Sequence, residues 1–387
     1  MTRLLFLWDA EAFGGHDVTA LVALERLASI SSLTLGALHT GRNARLTEEL
    51  ERIARQTGRL DIVCAEAAPC RSESIDGRFR GARTRSLENA IGSWKPDWAV
   101  DVQGFITLGL CALGACRALR VPVASYVPMT HRVWTIRRSP VSLVQDLLNR
   151  FWYAVPAAFL TTSDRMKGKL VRLHGVSGER VAVVEYGPDV SRSPSGDRAA
   201  ARKTFGFADG PVVGVLGRVE FGQKRQDFLI RAVARHRDAL AGHRFVIVGD
   251  GPDLPAAKRL VAELGVGDSI RFMAWQKDPF ALYPALDAVL IPSRYEGVPL
   301  VMLEAMHQRI PVVAADVDGM ADFLPKECLF RSGDAGEMVD KLLLIREPAD
   351  PEILDRLADL IETRLNAKRF ADCFAEAIMR LTQGGGR

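Results

Sequence analysis

Short runs of apolar residues alternate with helical periodicity along most of this chain. Unbroken apolar runs predict buried strands, and apolar residues three and four positions apart predict the helices that cover them. Strands are predicted at residues 3–8, 33–38, 61–65, 98–103, 122–126, 158–163 and 181–184, and again at 211–216, 244–248, 268–273, 288–292 and 310–315. Because buried strands joined by helices form parallel, doubly wound sheets, we predict an α/β protein with ligand sites at the carboxyl ends of its strands.

One stretch interrupts this rhythm and suggests a domain boundary. Residues 189–210 are dominated by Ser, Arg, Gly and Asp, which is typical of a linker. A chain of 387 residues is also too long for one ordinary hydrophobic core. We therefore predict a first Rossmann-like domain at residues 1–190, a linker at 191–210 and a second Rossmann-like domain at 211–365.

Two other segments depart from the strand–helix pattern in the first half. Residues 71–85 contain five arginines and few apolar residues, which predicts a flexible surface loop. Such a loop is either simply solvated or holds an acceptor phosphate or anionic lipid. Residues 126–156 mix arginines with tryptophan and phenylalanine, which fits either an ordinary packed helix pair or an interfacial membrane segment.

Composition and charge narrow the class of protein. With 48% hydrophobic and 25% charged residues, the chain resembles an ordinary soluble protein. Residues 1–200 carry 26 Lys and Arg against 20 Asp and Glu, so the excess positive charge lies in the first half. That excess favours an anionic surface or acceptor, whereas a nucleic-acid partner would bring a denser basic stripe, and we predict none.

The cysteines and the amino terminus bear on the compartment. The six cysteines form no CxxC pair, so we expect small buried apolar residues in a reducing compartment. The apolar run at the amino terminus is too short for a signal peptide, and residues 105–116 are too few to span a bilayer. We therefore expect a cytoplasmic protein that at most rests on the inner face of a membrane.

The stretch from residue 288 to 306 carries the strongest candidate chemistry. Here a strand runs into a helix through a loop with Gly297, Val298 and Pro299, leaving free N–H groups there and at Leu300. Free amides and the helix dipole suit an anion or the hydroxyls of a sugar. Glu296 in the loop and Glu304 in the helix can accept hydrogen bonds from vicinal hydroxyls on a ribose or hexose. The alternative is a pair of solvated glutamates.

A second turn, at residues 217–224, follows another predicted strand. Gly217, Arg218 and Lys224 lie in it, and Gly249 opens the turn after the next strand. Two cations beside an open glycine backbone are suited to a diphosphate.

Asp316 and Asp318 form an Asp-x-Asp pair that can hold a divalent metal bridging a diphosphate. Arg218 and Lys224 already supply that countercharge, and Asp318 begins a turn before a helix. We therefore predict no metal and no other cofactor.

Two candidate features lie in the first half. Gly14 and Gly15, followed by His16, lie between a predicted strand and a predicted helix, where they form either a ligand loop or a tight turn. The full dinucleotide fingerprint is absent there. His131 follows a strand end and can donate to a sugar hydroxyl or to a leaving phosphate.

Taken in order, four motifs resemble those of the retaining glycosyltransferases of family 4. They are GR(x)5K at residues 217–224, VGDGP at 248–252, PSRYEG at 292–297 and the E(x)7E pair at 296–304. The resemblance covers nearly all of the second half and is weaker in the first. It implies the GT-B architecture, in which two Rossmann-like domains face each other across a cleft and a last helix, here residues 366–387, returns to the first domain.

The resemblance also implies roles for the candidate residues. Arg218 and Lys224 would neutralise a donor diphosphate, and Glu304 would accept from the ribose hydroxyls. Glu296 and the amides from Gly297 to Leu300 would hold the transferred sugar. His131 would lie near the reacting carbon, and Gly14, Gly15 and His16 would close over phosphate or acceptor.

The predicted function is metal-independent, retaining transfer of a sugar from a nucleotide-diphosphate sugar to an acceptor hydroxyl. The basic first half favours a lipid-linked or cell-envelope saccharide as acceptor and a peripheral membrane contact, with a soluble small molecule as the second possibility. Two other functions remain open, a sugar-nucleotide 2-epimerase of the same fold and a non-catalytic sugar-nucleotide-binding subunit. Departures from the family pattern, such as Ala274 in place of the usual glycine, leave the donor's base and sugar unassigned.

Overall fold

The structure is a computed structural model that describes residues 1–9, 13–137, 139–192, 196–207, 210–276, 278–344 and 350–384. Internal contacts divide the chain into two compact units. The first unit comprises Met1–Tyr186 and Ala367–Arg387, and the second comprises Gly187–Asn366.

The described part of the first unit is built around a parallel sheet. Its strands are β1 (Thr2–Trp8), β2 (Leu33–His39), β3 (Leu60–Cys64), β4 (Trp98–Val102), β5 (Val123–Tyr126), β6 (Ala158–Thr161) and β7 (Val181–Val183). Its helices are α1 (Gly15–Ala28), α2 (Ala44–Thr57), α3 (Glu73–Phe79), α4 (Ala82–Trp94), α5 (Leu110–Leu119), α6 (Val133–Arg137), α7 (Pro140–Ala154) and α8 (Asp164–His174), with a 3-10 turn at Gly178–Arg180. The strand order is β3-β2-β1-β4-β5-β6-β7, as expected for a doubly wound sheet.

The described part of the second unit repeats this plan with a smaller parallel sheet. Its strands are β8 (Val212–Leu216), β9 (Arg244–Val248), β10 (Ile270–Met273), β11 (Ala288–Ile291), β12 (Val312–Ala315) and β13 (Leu329–Phe330), in the order β10-β9-β8-β11-β12-β13. Its helices are α9 (Arg198–Phe205), α10 (Gln226–Arg235), α11 (Leu254–Glu263), α12 (Leu300–His307), α13 (Met320–Phe323), α14 (Ala335–Leu344) and α15 (Pro351–Thr363). Short 3-10 turns lie at Val190–Arg192, Pro279–Ala281, Tyr283–Ala285 and Lys326–Cys328.

The alternation of side chains along β1 explains why the first sheet is covered on both faces. Phe6 and its neighbours on one face join the core formed with α1, α2 and the last helix, α16 (Ala367–Gly384). Leu5 and Leu7 on the other face join the core formed with α4 and α5. Strands buried on both faces read as continuous apolar runs, which is why they are visible in the sequence.

The last helix packs on the first unit through an apolar stripe at helical spacing. Phe370, Phe374 and Ile378 are buried, and the Phe374 ring centroid lies 6.2 Å from that of Phe6. Asp372 on the polar side of α16 pairs with Arg26 of α1 at 2.5 Å. Residues 367–384 therefore complete the core of a unit whose other residues lie more than a hundred positions earlier.

The predicted linker at 191–210 is wrong in part. Arg198–Phe205 forms α9, which the side chain of Asp197 caps. Arg198 and Arg202 of this helix both pair with Asp287 at 2.5 Å. Asp287 also accepts from the Val212 amide at 2.7 Å, so α9 is fixed to the second unit. The polar composition that indicated a linker is the composition of a short surface helix.

The predicted flexible loop at 71–85 is also wrong, because residues 73–79 and 82–94 are helical. A Cβ atom on Gly77 would lie 2.3 Å from the Leu110 carbonyl oxygen, so glycine lets α3 contact α5 directly. Arg83 of α4 is buried and pairs with Asp9 at 2.6 Å. A helix of seven residues with few apolar positions leaves almost no periodic signal.

Three smaller expectations also have outcomes. Residues 126–156 contain the helices α6 and α7. Cys111 and Cys116 are buried as predicted, but Cys64 and Cys373 are exposed. Across the described residues, no helix is both long enough and apolar enough to cross a membrane.

Candidate active site

The order of the strands locates the ligand site of the second unit. Strand β8 lies between β9 and β11, so successive connections leave the sheet in opposite directions at β8 and β11. In doubly wound sheets, ligands bind in the crevice that such a switch point opens at the carboxyl ends of the strands. The loop after β8 holds residues 217–225 and the loop after β11 holds 292–299, which are the two segments that the motifs single out.

Gly217 and Gly249 let the loops after β8 and β9 approach each other. Their φ angles are 134° and 141°, a region that residues with a Cβ atom rarely adopt. A Cβ atom on Gly249 would lie 2.2 Å from the Gly217 carbonyl oxygen. Both glycines are therefore required by the backbone, which places the loop after β8 against the loop after β9.

Lys224 and Glu296 meet across the two loops of the switch point. The Lys224 Nζ atom lies 2.6 Å from Glu296 Oε1, and the Glu296 side chain is only 5% exposed. Gln223 Nε2 donates to the other carboxylate oxygen at 3.4 Å. The structure therefore brings together two predicted site residues that are far apart in sequence.

The backbone around Glu296 is held by a residue considered above only as a metal ligand. Asp318 adopts a left-handed φ of 52°, and its Oδ2 atom accepts from the Glu296 amide at 2.8 Å. The Gly319 amide donates to the Gly297 carbonyl oxygen at 3.1 Å. Asp318 thus positions the Glu296 loop, while Asp316 is exposed. Among the described residues, no group of three or more His, Cys, Asp or Glu is arranged to hold a metal ion.

Arg218 lies in the same loop but is more exposed than Lys224. Its Nη2 atom pairs with Glu220 at 2.5 Å, and 53% of its side chain is exposed. The predicted cations therefore each have a carboxylate partner. Because an ammonium has three N–H donors and a guanidinium has five, each can keep that partner and still bind a phosphate oxygen.

Two further arginines and a tyrosine lie in the same two loops as Lys224 and Glu296, and the motifs assigned them no role. Arg225 has a left-handed φ of 59° at the start of α10, and the Arg294 amide donates to the Gln223 carbonyl oxygen at 2.8 Å. Burial, and to a lesser degree Arg294, lower the pKa of Arg225. Burial, followed by the carboxylates of Glu220 and Glu296, raises the pKa of the buried Tyr295 to about 12. The hydroxyl of Tyr295 is therefore neutral at pH 7 and can donate.

Helix α12 begins at Leu300, directly after Pro299, in the position the sequence predicts. Within the described residues, the amides of Gly297 and Leu300 donate no hydrogen bond. Val298 and Pro299 are buried, so the start of this helix is fixed by packing. Two amides at a helix N-terminus next to the Lys224–Glu296 pair can receive an anion or a hydroxyl oxygen.

Glu304 lies one turn further along α12 and is half-buried. The Tyr283 hydroxyl donates to its Oε2 atom at 2.6 Å. Desolvation by burial raises the pKa of Glu304, while the bond from Tyr283 lowers it. Among the described residues no hydrogen bond reaches Oε1, so one carboxylate oxygen can accept from a ligand hydroxyl.

His131 is buried in the first unit, beyond the carboxyl end of β5. Its Nδ1 atom lies 3.4 Å from Lys169 Nζ of α8, and its ring centroid lies 6.1 Å from that of Phe105. The sequence motifs did not indicate Lys169.

Gly14, Gly15 and His16 form the start of α1, while residues 10–12 of the same turn lie outside the described residues. The Gly14 amide already donates to the buried Asp17 carboxylate at 2.7 Å. His16 Nε2 lies 3.4 Å from that carboxylate. Burial raises the pKa of Asp17. The amide of Gly14, which was predicted to face a ligand, is therefore engaged inside the protein.

Two buried acids at the switch point of the first sheet had no motif. Asp9 follows β1 and Asp101 lies on the neighbouring β4, beside Leu7 in register. Burial raises the pKa of Asp9 to about 6 although Arg83 pairs with it. Burial, and then the charge of Asp9, raise the pKa of Asp101 well above its usual value. Asp9 and Asp101 are far apart in sequence, so the cluster becomes visible only when β1 and β4 are known to be neighbours in the sheet.

Comparisons with known proteins agree with these motifs. A family model described as Glycosyl transferases group 1 matches residues 210–347. A D-inositol 3-phosphate glycosyltransferase of Nocardia farcinica is 35% identical over 212 residues, covering 52% of this chain and 44% of that protein. The alpha-D-kanosaminyltransferase of Streptomyces kanamyceticus is 30% identical over 218 residues, covering 52% of this chain and 54% of that protein. The chain thus spans about half the length of these curated relatives.

Solved structures match over almost the whole chain at low sequence identity. Anabaena HepE in complex with UDP and glucose has a TM-score of 0.76 and 18% identity, covering 98% of this chain and 100% of that chain. Sucrose-phosphate synthase from Thermosynechococcus elongatus has a TM-score of 0.77 and 16% identity, covering 100% of both chains. The predicted α/β fold with two Rossmann-like domains is confirmed: this chain has the GT-B fold, and its residues 210–347 match the family model of glycosyl transferases group 1.

Proposed function

We propose that the protein is a glycosyltransferase that moves a sugar from a nucleotide-diphosphate sugar to an acceptor hydroxyl. The observation that carries this proposal is the Lys224–Glu296 pair, which lies at the switch point of the second sheet inside the segment that matches the family. The pair combines a cation that can bind a diphosphate with a carboxylate that can bind sugar hydroxyls. The two groups lie 2.6 Å apart, next to the N-terminus of α12. A site for the phosphate-sugar junction of a donor needs both groups side by side.

The proposed roles follow the chemistry of each group. Lys224 and Arg218 donate to the diphosphate and stabilise the negative charge that develops on it as the bond to the sugar breaks. Glu296, with the amides of Gly297 and Leu300, binds the transferred sugar. Glu304 accepts from the ribose through the oxygen that Tyr283 does not occupy.

In the first unit, His131 is proposed to act near the reacting carbon. Gly14, Gly15 and His16 are proposed to contact phosphate or acceptor, with Gly15 and His16 in the main role because the Gly14 amide is occupied. We propose that transfer retains the configuration of the anomeric carbon and needs no metal. The leaving phosphate would take the acceptor proton in that mechanism.

UDP-sugars are the first donors to test, since several structures of the same fold contain UDP or UDP-glucose. For the acceptor we propose a lipid-linked or envelope saccharide, supported by the basic first half of the chain. A soluble phosphorylated cyclitol is the second candidate, because several relatives are D-inositol 3-phosphate glycosyltransferases.

The test is calorimetric titration with UDP-, GDP- and ADP-sugars, with and without EDTA. We expect one donor to bind equally well in EDTA and to bind at least tenfold more weakly to Glu304→Ala. Glu263→Ala, an exposed glutamate of the same unit, is the matched control and should bind normally. Absence of binding across the panel, or binding that EDTA abolishes, contradicts the proposal.

Turnover then separates the three functions. Donor consumption that requires an acceptor supports transfer, and NMR of the product's anomeric proton tests retention. Conversion of donor without acceptor would instead indicate a 2-epimerase. Donor binding without any turnover across an acceptor panel that includes inositol 3-phosphate and lipid-linked saccharides would indicate a binding subunit.

A further inference from the structure

The exposed apolar side chains of this protein are concentrated on three helices of the first unit. Fifteen large apolar residues are exposed among those described, and eight of them lie on α3, α6 and α7. They are Ile75, Phe79, Trp134, Val141, Leu143, Val144, Leu147 and Leu148. Exposed apolar residues grouped on helices that contact each other indicate an interaction surface, whereas single exposed apolar residues do not.

The exposure of apolar side chains is clearest in helix α7, because its apolar face points outward. Val141 and Leu147 are 72% and 63% exposed, while Ser142 and Asn149 on the opposite face are buried. A helix that only covers its own domain turns its aliphatic face inward. The outward aliphatic face of α7 therefore does not pack on the rest of the unit and is available for contact with another molecule.

The three helices are fixed to each other and form one surface, which we call the α3–α6–α7 surface. Trp152 of α7 donates from Nε1 to Ser74 Oγ of α3 at 3.0 Å. Asp146 of α7 accepts from the amides of Val133 and Trp134 in α6, at 2.6 Å and 3.1 Å. The apolar residues are thus held in place as a group.

Positive charge surrounds this apolar surface. Six described arginines lie on or directly beside the three helices, namely Arg71, Arg78, Arg80, Arg132, Arg137 and Arg150. Three carboxylates share these segments, and each serves the fold. Asp146 binds α6, Asp76 accepts from Thr84, and Glu73 accepts from the Leu110 amide at 3.1 Å. Arg80 pairs with Glu88 at 2.6 Å, and the other five arginines leave an excess of positive charge on these segments.

We propose that the α3–α6–α7 surface docks the protein on an anionic phospholipid bilayer. Aliphatic side chains of α7 enter the headgroup–acyl boundary, the arginines pair with lipid phosphates, and Trp134 lies at the interface. A second copy of the chain fits less well, because a two-fold interface would place the same arginines against each other. This inference adds a location to the proposed function but rests on geometry that is independent of it.

The experiment is vesicle flotation of the full chain with phosphatidylcholine alone and with phosphatidylcholine containing phosphatidylglycerol. We expect the protein to float at least tenfold more with the anionic vesicles. Val144→Ser combined with Leu147→Ser should abolish flotation, and Arg137→Gln combined with Arg150→Gln should weaken it and reduce its salt dependence. These four side chains are exposed, so folding is retained.

The control is Leu344→Ser, a 65% exposed leucine of the second unit, which should float like the wild type. Equal flotation with neutral vesicles, or flotation that survives both double variants, overturns the proposal. So does a dimer, detected by light scattering, that the Val144 and Leu147 changes dissociate. Binding of the nucleotide sugar, measured in parallel and expected to be unchanged, distinguishes failure of this inference from failure of the proposed function.

Discussion

Lys224 Nζ and Glu296 Oε1 lie 2.6 Å apart, although the residues belong to different loops of the second sheet. The lysine side chain is 20% exposed and the glutamate 5%, so the pair is shielded from water on the glutamate side. Removing one partner of such a pair costs more than removing both, because a buried charge is left without a partner. The pair therefore links the position of the carboxylate that we propose binds the sugar to that of the cation that we propose binds the diphosphate.

Substitutions of the two partners should have opposite effects on the binding of the nucleotide diphosphate. Lys224→Ala removes a charge-assisted hydrogen bond worth about 1.5–3 kcal/mol, so affinity for UDP should fall roughly 10- to 100-fold. Glu296→Gln removes a negative charge beside the lysine, so affinity for UDP should rise while sugar transfer falls. Calorimetry with UDP measures the change in affinity, and turnover with the full donor measures the change in sugar transfer.

The matched control for this pair is Lys258→Ala, an exposed lysine of the same unit that should bind UDP normally. Circular dichroism establishes that each variant is folded. If Glu296→Gln weakened UDP binding as much as Lys224→Ala does, the carboxylate would be needed for the diphosphate itself, and the assignment of Glu296 to the sugar would be wrong.

Tyr283 should control the pH at which the donor binds. Burial raises the pKa of Glu304, and the hydrogen bond from Tyr283 lowers it. In the proposed role, Glu304 accepts from a ribose hydroxyl, and the carboxylate is a stronger acceptor than the protonated acid, so donor affinity should decline as the pH falls through the pKa of Glu304. Tyr283→Phe removes the bond that stabilises the carboxylate, which raises the pKa of Glu304 and moves this decline to higher pH. Donor titrations from pH 4 to pH 8 measure the shift.

A purely structural role for Tyr283 predicts no shift in the pH dependence of donor binding. It would lower donor affinity equally at every pH or lower the melting temperature without moving the pH profile. Glu304→Gln provides the reference, because a neutral amide should bind the donor more weakly than the wild type at pH 8 and show little change with pH. A profile that is identical in Tyr283→Phe and wild type would contradict the coupling.

Much of the second unit could be predicted because its strands and turns leave patterns within short stretches of sequence. Buried parallel strands appear as apolar runs, and Gly217, Pro299 and Glu304 take their positions from backbone rules that act over a few residues. The partners of these residues could not be predicted in this way. Asp318 reaches the Glu296 amide from the loop after the next strand of the sheet, and Tyr283 reaches Glu304 from a 3-10 turn.

Two helices that the sequence analysis missed show the limits of prediction more clearly. The helix α3 was missed because glycine-mediated packing on α5, and not its own periodicity, stabilises it. The polar segment that suggested a linker holds α9, which forms because Asp287 lies opposite its arginines. In both cases a tertiary contact decides the local structure, and such contacts are not visible in a single sequence.

The close approach of Gly249 to Gly217 should make Gly249→Ala strongly destabilising. The added methyl group would lie 2.2 Å from a backbone oxygen, at a φ of 141° that alanine rarely adopts. Backbone strain and the clash together should cost about 2–4 kcal/mol and lower the melting temperature of the second unit. Gly267→Ala, where a Cβ atom would meet nothing within 4 Å, is the control in scanning calorimetry. Equal melting of the two variants would refute the argument.

Asp101→Asn should stabilise the protein at neutral pH and have little effect in acid. Burial raises the pKa of Asp101 in the folded state well above its unfolded value, so the folded protein favours the protonated acid. Its contribution to stability is therefore greatest below the unfolded pKa and declines as the pH rises toward the folded pKa. Asparagine imitates the protonated form and removes this decline. The measurement is the unfolding free energy in urea at pH 4 and pH 8 for wild type and Asp101→Asn, with the exposed Glu66→Gln as control. A variant that is less stable than wild type at pH 8 would mean that Asp101 is charged in the folded protein, with a partner that the burial argument overlooks.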